Sequence, residues 1–157
     1  MSLLKSGLHP DASAALERIG ITSDEIGQTV GYAEASAGTH APDGQVDGED
    51  YTCAVDFRIG GWTDEHVKQL LDNLGQYAGF AAWYRNPGHD GWNGVRHVHA
   101  VYAGCRMKLS LRNQIHAFCQ GKNGLATNLG YKFHTPLPES VNKVREMFYA
   151  SGNPING

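Results

Sequence analysis

The sequence predicts an α+β domain: a small, mostly antiparallel sheet with helices packed on one side. Three observations carry this. Four stretches show the apolar spacing of amphipathic helices, four others are short and strand-like, and the two kinds do not alternate in the regular order of a parallel βαβ fold. At 157 residues the chain is long enough for a single domain with a proper core, here 1–157. A hydrophobic content of 41% is near the globular norm.

The elements follow in order. His9 to Ile19 reads as a helix, with Pro10 near its first turn, Ala14, Ala15, Leu16 and Ile19 as its apolar stripe and Gly20 as its stop. Ser23-Asp24-Glu25-Ile26 opens a further turn, and Gln28 to Ser36 looks strand-like before Gly38-Thr39-His40. Residues 41–50 carry four carboxylates among turn formers and read as a solvated loop. Calcium is considered there, but the Asp-x-Asp-x-Asp-Gly order of an EF-hand is absent.

Tyr51 to Ile59 is a strand by its β-branched and aromatic content, with Asp56 inside it. An unpaired buried carboxylate is costly, so Asp56 needs a partner: Arg58, another arginine, or a metal ion. Thr63 caps a helix from about Asp64 to Tyr77, with Asp64 and Glu65 where the helix dipole favours them and Val67, Leu70, Leu71 and Leu74 facing inward. Phe80 to Arg85 is a strand, 86–94 a hairpin-type loop, and Val95 to Tyr102 a second strand. Helices are expected over Ser110–Gln120 and Pro138–Tyr149, the first with Leu111, Ile115, Phe118 and Cys119 on one face.

Several classes are set aside by composition. A net charge of −3 offers no basic field for nucleic acid or an anionic membrane. No apolar run approaches the ~20 residues of a transmembrane helix. The first residues show no signal-peptide core, which leaves a cytoplasmic, phage-delivered or leader-trimmed secreted protein all open. Cys53, Cys105 and Cys119 are odd in number, widely spaced and without a Cys-x-x-Cys, so they are expected as small core residues rather than a disulfide framework or a cysteine zinc site. Trp62, Trp83, Tyr84 and Trp92 could line a groove, although aromatics around strands are more often core.

Eight histidines are generous for this length. In Val95-Arg96-His97-Val98-His99-Ala100-Val101-Tyr102 the period-2 pattern puts His97 and His99 on one face of a stiff strand while the valines pack. Two parallel imidazoles suit a metal site, because the ligands are fixed before the ion arrives. With His40 at a strand end and Asp56 in a strand, these residues can supply two histidines and a carboxylate around an open position. That is the composition of a catalytic zinc site.

With Gly38-Thr39-His40, Ala54-Val55-Asp56, Gly79-Phe80 and His97-Val98-His99 in this order, residues 30–103 resemble the Hedgehog/D-Ala-D-Ala-peptidase group of zinc peptidases, the LAS or M15 type. The 41–55 stretch would then be an insertion between two ligands, and the helices of 104–150 an addition. The resemblance implies a Hedgehog/DD-peptidase-like fold in which Zn2+ is held by His40, Asp56 and His99, with His66 and His89 as further ligand candidates. It implies hydrolysis of an amide bond in a peptidoglycan-type or other small peptide, with His97 as general base, since the position three before His99 is Arg96 and cannot serve. If both strand histidines bind metal instead, Asp43, Asp47 or Glu49 would be the base. Arg58, two residues from Asp56 and on its face, would hold a substrate carboxylate or the oxyanion, or else pair with Asp56. The alternatives are a non-catalytic zinc-bearing domain of the same fold and a metal-free binding module in which the histidines are incidental.

Overall fold

The computed structural model describes residues 7–31, 39–86, 95–124, 130–131 and 133–154. It is an α+β chain built on a four-stranded, wholly antiparallel sheet in the order β1-β4-β6-β5. These strands are β1 (Ile26–Gln28), β4 (Ala54–Arg58), β5 (Phe80–Arg85) and β6 (His97–Tyr102). A separate hairpin pairs β2 (Gly44–Val46) with β3 (Glu49–Tyr51). Among the described residues four α-helices complete the fold: α1 (Pro10–Arg18), α2 (Asp64–Gln76), α3 (Leu109–Cys119) and α4 (Pro138–Ala150). None of the described helices is long and apolar enough to cross a membrane.

Local chemistry accounts for the element ends. Pro10 opens α1, and the His9 ring accepts a bond from Asp11 N. Thr63 Oγ1 accepts from His66 N at the start of α2. Val67, Leu70, Leu71 and Leu74 form the buried stripe of α2. Against α2 lies α4, close enough that a Cβ on Gly75 would collide with the Ser140 side chain. The acidic 41–50 stretch contains the β2–β3 hairpin. Asp47 (φ 52) and Gly48 (φ 81) are its two central residues, the backbone of a type I′ turn that Asp-Gly favours.

The sheet is covered on both faces, which corrects the expectation of helices on one side only. Trp83 and Tyr84 are neighbours on β5 and therefore point oppositely. Trp83 meets Phe118 of α3 edge to face, whereas Tyr84 packs on Phe133, over which Lys68 of α2 sits. The α2 face is the drier one, with Val55, Phe57, Val98, Ala100, Phe80, Ala82 and Tyr84 all buried. Trp83 and Tyr84 are thus core, Trp62 is partly buried against the core, and Trp92 lies outside the described residues.

Two further expectations change. Val95 does not pack: β6 begins only at His97, and Val95 is 84% exposed while Val98 and Val101 are buried. Cys53 and Cys105 are core residues as expected, but they are also joined in a disulfide, leaving Cys119 free. The sheet register explains the pairing. Cys53 O accepts from Tyr102 N across β4 and β6, so the chain just beyond β6 returns beside Cys53 with the two Cα atoms 6.5 Å apart. The strand expected over 28–36 ends at Gln28, and 32–38 lie outside the described residues.

Candidate metal centre

The face of the sheet opposite α2 carries two rows of side chains set by strand register. In the inner row Gln28 is opposite Asp56, Asp56 opposite His99, and His99 opposite Trp83. In the outer row Arg58 is opposite His97 and His97 opposite Arg85. Residues two apart on one strand share a face, so both rows project the same way. His40 arrives from outside the sheet, anchored beside the end of β1 where Gly31 N donates to His40 O at 2.7 Å.

These placements bring His40, Asp56 and His99 together. One ligand atom from each lies within 4.8 Å of the others, and among the described residues this is the group of His, Cys, Asp or Glu side chains that could hold a metal ion. His40 Nε2 is 3.3 Å from Asp56 Oδ2, and His99 Nδ1 is 3.0 Å from Asp56 Oδ1. Two ligands on a tetrahedral ion with bonds of about 2.0–2.1 Å stand about 3.3 Å apart, a separation that both histidine–carboxylate distances approach.

The outer nitrogens fix what the inner ones can do. His40 Nδ1 is 2.8 Å from Thr29 O, a carbonyl that can only accept, so this nitrogen carries the proton. His99 Nε2 stands 2.9 Å from Gln114 Oε1 and donates there when it carries the ring proton. In the neutral rings, then, Nε2 of His40 and Nδ1 of His99 turn lone pairs towards a carboxylate, three acceptors facing one another. Such a cluster is stable only around a cation, either an added proton or a metal ion. Orienting bonds from ligand histidines to outer acceptors are the usual support of a metal site.

With an added proton on the inner nitrogens, burial pushes the Asp56 carboxyl up, but hydrogen bonds from His40 and His99 and their charge outweigh it and hold it well below the usual carboxylate range. His99 is further fixed by its near-parallel stack on Trp83 and the edge-on His40 ring. Trp83 is itself held through Nε1 to Lys122 O at 3.0 Å.

Of the remaining predicted residues, His97 lies at the mouth of this cluster. Its Nε2 is 3.9 Å from Asp56 Oδ1, and its Nδ1 donates to Val95 O at 2.8 Å. Arg58 shares the face but does not pair with Asp56, whose ionic partners are His40, His97 and His99. Asp43 is removed as a base: its buried carboxylate accepts from Lys108 Nζ, Lys108 N, Cys53 N and Thr52 Oγ1. Asp47 and Glu49 are exposed on the hairpin, outside the cluster. Asp50 accepts from Gln45 Nε2 at 2.9 Å. His66 stacks on Trp62, 3.7 Å between ring centres, and takes no part in the cluster, while His89 lies outside the described residues.

Sequence reasoning missed Gln114. Its signal was present: a polar residue between Leu111, Ile115 and Phe118 on the buried stripe of α3, where an amide is costly unless bonded. No family model, no curated protein and no solved structure matches the chain.

Proposed function

We propose that the protein is a zinc-dependent peptidase of the Hedgehog/D-Ala-D-Ala-peptidase type, cleaving an amide bond in a small, peptidoglycan-type peptide. The observation that supports it most is the pair of outer contacts, His40 Nδ1 to Thr29 O and His99 Nε2 to Gln114 Oε1, which with protons on those outer nitrogens leave both inner lone pairs facing the Asp56 carboxylate. His40 Nε2, Asp56 and His99 Nδ1 would hold the ion. Two nitrogens, one carboxylate oxygen and an open fourth position favour zinc over calcium or magnesium, which prefer oxygen ligands. When bound, zinc supplies Lewis-acid polarisation of the scissile carbonyl and acidifies water.

The chain's own groups supply the rest. The bond from His97 Nδ1–H to Val95 O leaves Nε2 as the basic nitrogen, directed at the cluster. Nε2 takes the proton of the attacking water and returns it to the leaving amine, which needs a nitrogen that substrate and water can reach. His97 is the more accessible imidazole, its side chain 19% exposed against 8% for His40 and 4% for His99. A base so placed favours catalysis over a zinc-bearing domain that only binds.

The test is elemental analysis of protein purified without added metal, alongside His99→Ala and His97→Ala. About one zinc per chain is expected, lost in His99→Ala. His97→Ala is expected to keep its zinc and lose hydrolysis of peptidoglycan peptides by about 100-fold or more. No metal in the wild type, and no stabilisation on adding zinc, would overturn the proposal.

A further inference from the structure

We propose that a polar cleft on the α2 side of the sheet, away from the metal cluster, binds a single neutral sugar unit. The cleft shares no residue with the peptidase reading and stands or falls without it.

The cleft lies where α2 passes the chain between α1 and β1. Ile21 and Leu70 line it as buried apolar residues, and Glu25, His66, Gln69 and Asn73 bring polar groups to it. Its volume of about 160 Å3 is below the ~300–1,000 Å3 of pockets for drug-sized ligands, so it suits one small ring rather than a chain. His66, Gln69 and Asn73 are three and four residues apart on α2 and therefore share one exposed stripe beside the buried leucines.

Part of the wall is fixed before any ligand arrives. Arg96 donates to Ile59 O and Trp62 O at 3.0 and 2.7 Å, which ties down the Trp62 backbone. The His66 ring lies flat on Trp62, 3.7 Å between centres and 5° between planes. Glu25 Oε1 accepts from the Thr22 amide and hydroxyl at 2.9 and 3.1 Å, which leaves Oε2 for a ligand. The side-chain amides of Gln69 and Asn73 have no partner among the described residues.

These groups select the ligand. Each primary amide offers donors and an acceptor in one plane, and a carboxylate oxygen accepts; hydroxyl groups supply the reciprocal set. Among the described residues no Lys or Arg lines the cleft, and the Glu25 carboxylate opposes an anion there. An organic cation is held best by an open Trp face, and one face of Trp62 is already covered by His66. A neutral sugar ring answers every feature: hydroxyls for the amides and Glu25, and apolar C–H faces for Ile21 and Leu70.

The experiment measures binding of methyl β-glucoside and N-acetylglucosamine by ligand-detected NMR, with methylammonium and inorganic phosphate as the charged probes. At least one sugar is expected to bind with a Kd of about 1–10 mM, and neither charged probe should bind at this cleft. Gln69→Ala combined with Asn73→Ala changes only exposed side chains and should weaken the sugar at least about fivefold. Asn113→Ala, exposed on α3 across the sheet, should leave binding unchanged. No sugar binding at about 50 mM, an unchanged Kd in the double variant, or equal weakening in Asn113→Ala would overturn the proposal. So would methylammonium or phosphate binding that the double variant abolishes. Sugar binding lost on adding a chelator would place the sugar on the metal cluster and overturn it too. Binding that persists in protein found to hold no zinc keeps the cleft and sinks the peptidase.

Discussion

Asp43 and Asp56 are two shielded carboxylates with opposite surroundings. Asp43 has its side chain fully buried and takes four bonds from donors that always carry their protons: an ammonium, two backbone amides and a hydroxyl. It is saturated, and it ties the start of the β2–β3 hairpin to the segment leading into β4 and to Lys108 just before α3. Asp56 is nearly as shielded, at 17% side-chain exposure, but faces imidazole nitrogens whose own protons are directed away to Thr29 and Gln114. Its partners are titratable rings rather than groups that always carry their protons. The difference teaches that burial alone does not separate a structural carboxylate from a functional one; the proton inventory of its partners does.

The largest expected effect breaks the structural member of the pair. Asp43→Ala strands Lys108 and two amides, and should cost about 3–5 kcal/mol in chemical denaturation, because one partner of a buried charged network is lost. Its folded fraction should still bind zinc. Asp56→Asn should do the reverse. In the presence of chelator its stability should change far less than that of Asp43→Ala, while zinc affinity in a metal-buffered titration drops by more than about 100-fold. Equal unfolding by both variants would erase the distinction.

A smaller effect sharpens the account of Asp56. Gln114→Leu keeps the volume near His99 but removes the acceptor that fixes its ring, and should weaken zinc binding by about 10–100-fold without unfolding the chain. Unchanged affinity would mean that the outer bond does not set the tautomer. The smallest effect concerns the thiols at the margin of the Asp43 region. Without reductant, only Cys119 should titrate in denaturant, and all three cysteines after reduction. In the native protein burial pushes the Cys119 thiol up, with Arg145 opposing more weakly, so alkylation near pH 8 should be slower than in denaturant.

Much of this fold is legible as local pattern. The helices over Asp64–Gln76 and Pro138–Ala150 follow from an apolar stripe with a cap or an initial proline, and β5 follows from six residues of aromatic and small apolar character ending in Arg85. The hairpin was hidden because its acidic residues suggested solvation, although Asp47-Gly48 is itself a turn signal. Cys53 and Cys105 were legible as buried but not as a pair, since sequence spacing says nothing about which strand ends meet.

For the site, the sequence by itself determined residue types and local direction: His97 and His99 on one strand face, and Asp56 and Arg58 on another. Periodicity is enough for that, because side-chain direction alternates along a strand whatever its neighbours are. Only the tertiary structure decided that Asp56 stands opposite His99, that Arg58 and Arg85 flank His97, and that Gln114 caps the inner row. These are consequences of register and of helix docking, set by the packing of distant apolar faces, and no local spacing contains them.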